Sequence, residues 1–302
     1  MTLAQAILLF VAAVLGGMLN SVAGGGSFIG FPALIFTGVP SINANATNTV
    51  ALWPGVVASA GAYRRELAQQ QRALMLVLGG TSLIGGILGA LLLLHTPPQT
   101  FTLLIPPLLL IATVLFAVSP RLTALLRKRR AVAASPVASA TAPVATVGPA
   151  VSQTATHPDE VPTTETLALS VEKLSPLKLV SVSFFQLLIA TYGGYFGGGI
   201  GILMLATLGM MGMENIHEMN GLKTLLAGLI NGVAVITFAL AGAVLWPQAL
   251  LMVVGAVIGG YGGAYYARKI DQRWVRLFVT LVGVTMTLYF FINIYILGHS
   301  GK

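Results

Sequence analysis

Apolar residues run along this chain in ten stretches, near 3–22, 28–39, 44–63, 73–94 and 101–118, and again near 177–196, 200–213, 216–242, 247–267 and 275–297. Most approach the roughly 20 residues that an α-helix needs to cross a hydrocarbon core. Two do not. The stretches at 28–39 and 200–213 are too short, and each follows a glycine triplet, Gly24-Gly25-Gly26 or Gly197-Gly198-Gly199. The pattern predicts an all-α, polytopic transmembrane bundle with eight to ten full spans. Within it, the two short stretches are half-helices or re-entrant segments.

A glycine run interrupts the helical hydrogen-bond ladder, and unpaired amides are tolerated at membrane depth only where protein or a water-filled cavity receives them. Paired breaks in corresponding places of two halves point to a carrier whose site lies at the breaks.

Composition agrees with a bilayer. Of 302 residues 56% are hydrophobic and 8% charged, against about 25% charged in soluble domains. The net charge of +8 comes from cations grouped at Arg64–Arg72, Arg121–Arg130 and Arg268–Arg276. These groups flank apolar stretches, so they read as topology signals and not as a nucleic-acid surface. With no cysteine and four scattered histidines, the chain offers no evident metal cluster, and no cofactor or metal is expected. No nucleophile with a base, catalytic carboxylate pair or phosphate-binding lysine loop can be assembled, which argues against an enzyme and against ATP as the driver.

Residues 131–165 are rich in Ala, Pro, Ser, Thr and Val without apolar periodicity. They predict a disordered cytoplasmic linker, dividing the chain into a first membrane repeat at 1–118, a basic linker at 119–174 and a second repeat at 175–298. The repeat extends beyond the triplets. ATNT at 46–49 falls opposite NGLK at 220–223, and GGILGA at 85–90 opposite GGYGGA at 259–264, both 174 positions on. Arg64–Arg72 follow the third stretch of the first half, whereas in the second half the uncharged turn Gly242–Pro247 follows the third stretch and Arg268–Arg276 the fourth. Equivalent loops then face opposite sides, the signature of an inverted-topology repeat.

GGGSFIGFPALIFTGVPSINANATNTVALWPG followed by YRRE, and later YFGGGIG with NGLKTLLAGLIN, resemble the sulfite exporter TauE/SafE family of bacterial membrane permeases across both membrane halves but not the linker. The resemblance implies a multi-pass inner-membrane permease for sulfite, a sulfonate or a related small organosulfur anion. It does not fix the cargo.

Candidate site residues follow from the breaks. Gly24, Gly25, Gly26 and Ser27 precede a short helix whose positive dipole end would face the interior, the arrangement of an anion site, and Gly197, Gly198 and Gly199 repeat it from the other side. Inverted symmetry would bring both ends together around one anion. The plainer alternative is that these glycines only allow close helix packing, the role expected of Gly85, Gly89, Gly259 and Gly263. Lys223, the only cation between Lys178 and Arg268, recurs with Asn220, Ala227 and Asn231 at helical spacing, a stripe suited to a cavity wall. Its alternative is snorkelling to headgroups. Thr47 and Asn48 are further substrate-binding candidates, and Glu218 and His217 are candidates for coupling to H+, with Na+ the other coupling ion considered. Their alternative is to mark the membrane boundary. The expected partners are therefore the lipid bilayer and a small anion, and no nucleic acid. Rival readings are a membrane partner that assists another complex, and a passive anion channel.

Overall fold

The computed structural model describes residues 1–22, 25–133, 176–211, 213, 215–266 and 272–298. These form eleven α-helices and a closing π-turn, and no strand is present among the described residues. The first half contains α1 (Leu3–Val22), α2 (Ser27–Phe36), α3 (Ser41–Ala62), the short α4 (Arg64–Ala68), α5 (Arg72–His95) and α6 (Pro98–Ala133). The second contains α7 (Pro176–Tyr195), α8 (Ile200–Met210), α9 (Ile216–Leu240), α10 (Trp246–Tyr266) and α11 (Gln272–Phe291). Five helices among the described residues are long and apolar enough to cross a membrane, in α1, α5, α6, α9 and α11. Polar residues in α3, from Asn43 to Thr49, keep it below that measure despite its 22 residues.

The predicted short segments are observed as 10-residue α2 and 11-residue α8. Proline sets several starts, at Pro40 before α3 and at the first position of α6 and α7, where a missing N–H costs nothing. One boundary differs from the sequence reading. Helix α6 does not stop at 118 but continues through the basic run to Ala133, because Leu, Ala, Arg and Lys in that stretch are all good helix formers. The rest of the expected linker, from 134 to 175, lies outside the described residues.

The helices pair in an exchanged pattern: α1 packs along α10 and α5 along α7, while α3 crosses α9 and α6 crosses α11. Small residues make the first two contacts close. A Cβ on Gly85 would lie 2.8 Å from the Leu187 carbonyl oxygen, and one on Gly89 2.7 Å from the Tyr195 amide nitrogen. A Cβ on Gly259 would run into the Val14 carbonyl. These three glycines therefore do the packing job expected of them; Gly263 has no described side-chain environment. Buried Gln186 reinforces α5 on α7 by donating to Ser82 Oγ at 2.8 Å.

Contacts also define the two ends of the bundle. At one end Gln5 donates to the Thr37 carbonyl (3.2 Å), Ser41 meets Thr102 (3.0 Å) and Asn43 donates to the Ala243 carbonyl (2.8 Å). At the other, Gln70 donates to Glu218 Oε2 (2.9 Å), and Gly221 packs on Tyr63 and Glu66. The loop after α3 and the turn after α9 thus lie at opposite ends.

Candidate functional site

Helix α8 starts from a break that only glycine accommodates readily. Gly197 and Gly199 both have φ of +78°, a left-handed conformation that a side chain would strain. Tyr192 clamps the break from the preceding helix: its hydroxyl donates to the Gly198 carbonyl at 2.8 Å, and its own carbonyl accepts from the Gly197 amide at 3.3 Å. Gly198 and Gly199 press against Ala112 of α6. The Ile202 amide turns back onto the Gly199 carbonyl, while the amides of Ile200 and Gly201 have no acceptor among the described residues. Two free donors at a positive helix end suit an anion.

Lys223 meets this end. Its Cδ lies 3.3 Å from where a Gly201 Cβ would be, so the aliphatic stem lies along the start of α8. Among the described residues no carboxylate pairs with it. Asn220, Lys223, Ala227 and Asn231 are all half-buried, whereas Leu222, Leu226, Ile230 and Phe238 on another face of α9 are wholly buried. The polar stripe expected from the spacing therefore flanks the packed core and does not lie inside it.

The first break is built differently. Gly24 lies outside the described residues. Gly25 packs on Val279 of α11, and Gly26, in an ordinary right-handed conformation, packs on the Gly16 carbonyl. Phe28 and Ile29 donate to the carbonyls of Gly25 and Gly26; the Ile29 bond matches that of Ile202 in α8, and the Phe28 bond uses the amide whose counterpart in α8, Gly201, stays free. Ser27 Oγ accepts from Asn48 Nδ2 at 3.2 Å, and Asn48, 2% exposed, keeps its Oδ1 without a partner. Thr47 is committed elsewhere: its Oγ1 accepts from the Leu245 amide at 3.1 Å, tying α3 to the turn before α10.

Asn48 and Lys223 do not converge. Trp53 donates to the Gly228 carbonyl at 3.0 Å and its ring covers Gly232. Val56 faces Gly228, and Tyr63 faces Gly221, so α3 and α9 run antiparallel through that crossing. Asn48 and Lys223 each lie five residues before it on opposing helices, about 15 Å apart along the axes at 1.5 Å per residue. The chain holds two polar stations, Ser27–Asn48 and the α8 start with Lys223, in place of a single shared cradle.

Of the coupling candidates, Glu218 accepts from Gln70 and Asn215, both at 2.9 Å, at the bundle end. The His217 side chain is outside the described set.

Sequence reasoning missed Thr113. In this chain Thr49, Thr191, Thr207, Thr224, Thr237 and Thr287 each donate to the carbonyl four residues back, so threonine in an apolar stretch carries no signal by itself. Thr113 is 3% exposed, yet its hydroxyl has no partner. It faces Gly283 of α11 beside Phe28 in the first turn of α2, and its neighbour Ala112 abuts the α8 break. If this hydroxyl serves a ligand, the isosteric Thr113→Val raises the KM of transport about two- to tenfold, the value of one neutral hydrogen bond, without lowering the melting temperature. Thr287→Val, whose hydroxyl is internally bonded, leaves KM unchanged.

The family profile described as "Sulfite exporter TauE/SafE" matches residues 9–290. The chain is 26% identical over 282 residues to the "Probable membrane transporter protein ORF9" of Sinorhizobium sp, covering 93% of this chain and 90% of the relative. It is 24% identical over 285 residues to a "Probable membrane transporter protein" of Haemophilus influenzae, covering 93% and 92%. With "Probable membrane transporter protein YfcA" of Escherichia coli K12 it shares 23% over 283 residues, covering 92% and 87%. No solved structure matches it. The profile match spans both membrane halves and both helix breaks, and the chain belongs to the sulfite exporter TauE/SafE family of membrane transporters.

Proposed function

We propose that the chain is a secondary carrier of a small sulfur-containing anion, sulfite or a sulfonate, working by alternating access between two inverted halves in a bacterial inner membrane. The observation that carries this reading is the start of α8, where two free amides and the stem of Lys223 meet. A helix N-terminus and an ammonium group both favour negative charge and hold no resident carboxylate among the described residues. The Ser27–Asn48 station lies toward the end carrying the turn after α9, and the Lys223 station toward the end carrying the loop after α3. The cationic residues of that latter loop, Arg64, Arg65 and Arg72, favour a cytoplasmic side for that end. Because α1–α10 and α5–α7 each join the two halves, the bodies that would rock are bundles drawn from both repeats.

The test is uptake of labelled sulfite into proteoliposomes, with and without gradients of H+ or Na+, against excess sulfate, thiosulfate or a sulfonate. The carrier reading expects saturable flux that a competitor suppresses. Ohmic flux without saturation replaces it with a channel, and the absence of flux under every gradient overturns transport of this class.

A further inference from the structure

The Ser27–Asn48 station holds a buried acceptor that nothing in its surroundings satisfies. Asn48 is 2% exposed, its Nδ2 donates to Ser27 Oγ at 3.2 Å, and its Oδ1 has no partner. That oxygen lies over Gly30, so close that a Cβ there would run into it, and the Met252 methyl group lies 3.4 Å from the same Cβ position. The first turn of α2 offers no relief, because Phe28 and Ile29 donate to Gly25 and Gly26. Buried polar groups in folded proteins are nearly always paired, and an exception asks for an explanation. With Nδ2 tied to Ser27, the carboxamide is fixed and its carbonyl oxygen points at the start of a helix.

Resting on the carrier reading above, we propose that the ligand at this station carries its own hydrogen-bond donor. It is an oxyanion bearing an O–H or N–H group, such as a protonated monoanion or an amino-substituted sulfonyl anion, and Asn48 Oδ1 accepts from that group. A bare metal cation is the other partner a carbonyl oxygen could take. The positive end of α2 opposes a cation at this place, and no carboxylate is present in the first turn to offset it. An oxyanion without a donor would leave Oδ1 unsatisfied, and would add the repulsion of two oxygens. Selection by an unpaired buried acceptor is stronger than selection by shape, because the wrong ligand leaves the desolvated group unmet.

Sulfamate and methanesulfonate test this as a nearly isosteric pair of monoanions, differing in an NH2 group that donates and a CH3 group that does not. Their binding is measured by titration calorimetry on the purified full chain at one pH. Wild type is expected to bind sulfamate about tenfold more tightly, and Asn48→Leu, of similar shape, to bind both alike. Equal wild-type affinities overturn the proposal, as does binding of neither. A preference that survives in Asn48→Leu overturns it too, and so does affinity that rises with Na+ while the two anions stay equal. The wild-type comparison needs no variant, so the proposal stays falsifiable if Asn48→Leu does not fold. Sulfamate preference without sulfite flux removes the transport reading and keeps this one; saturable flux without the preference does the reverse.

Discussion

Lys223→Met is expected to cut anion flux about ten- to a hundredfold, the range for losing a charge-assisted hydrogen bond, while the protein remains folded in the membrane. Methionine keeps most of the stem that lies along Gly201, so packing between α8 and α9 is preserved and only the ammonium group goes. Removing a charge from membrane depth carries no stability cost of its own, and the melting temperature should hold or rise. Lys223→Arg is expected to be intermediate, because the charge survives but a planar guanidinium does not reproduce the compact ammonium. Wild-type flux in Lys223→Met, measured in the proteoliposome assay, would remove Lys223 from the site and return it to the snorkelling role. The alternative left for the α8 start would then be its two free amides alone.

The second large effect is on assembly. Gly89→Ala should lower the melting temperature sharply or remove the protein from the membrane. The new methyl group would lie 2.7 Å from the Tyr195 amide nitrogen and 2.9 Å from the Gly194 carbonyl carbon. These are backbone atoms of α7, which cannot swing aside as a side chain would, and overpacking of this kind costs about 1–3 kcal/mol or more. Gly80→Ala, on the same helix, has nothing within 4 Å of the added atom and should stabilise by up to about 1 kcal/mol through helix propensity. Thermal melts of the two variants in one detergent read opposite signs if the α5–α7 contact is as close as described. Equal shifts would mean that α7 sits farther from α5.

The two stations bear on how cargo would move. If Ser27–Asn48 and the α8 start lie about 15 Å apart along the helix axes, one tetrahedral anion cannot touch both Asn48 and Lys223 together. Each half then presents its own polar pair at its own break, unlike in chemistry: a cation with free amides in one, a fixed carboxamide and a hydroxyl in the other. Ala112 of α6 abuts the α8 break, and Thr113 beside it faces Gly283 of α11, where Phe28 from the first turn of α2 also packs.

The breaks were legible because glycine triplets within apolar sequence conflict with every neighbouring signal for a continuous helix. Lys223 was legible for the same reason, as an ion where its surroundings carry none. The stripe Asn220, Lys223, Ala227 and Asn231 followed from the period of 3.6 alone and is found half-buried as a set. By contrast, the continuation of α6 to Ala133 was hidden, because a basic run reads equally as a loop and as a solvated helix. The role of Thr47 was hidden too, since its partner Leu245 lies 198 residues away.

What the sequence determined by itself is the helical class, the placement of two half-helices and the residues at their starts, because these depend on local backbone chemistry and on which segments can bury apolar surface in lipid. Which helix pairs with which, and the separation of Asn48 from Lys223, were decided only by tertiary structure. In lipid, apolar side chains do not choose among neighbours, so pairing rests on close backbone fit at positions such as Gly85, Gly89 and Gly259. The antiparallel crossing at Trp53 and Gly228, which puts the two stations on opposite sides of it, is a relation between segments that no single segment encodes.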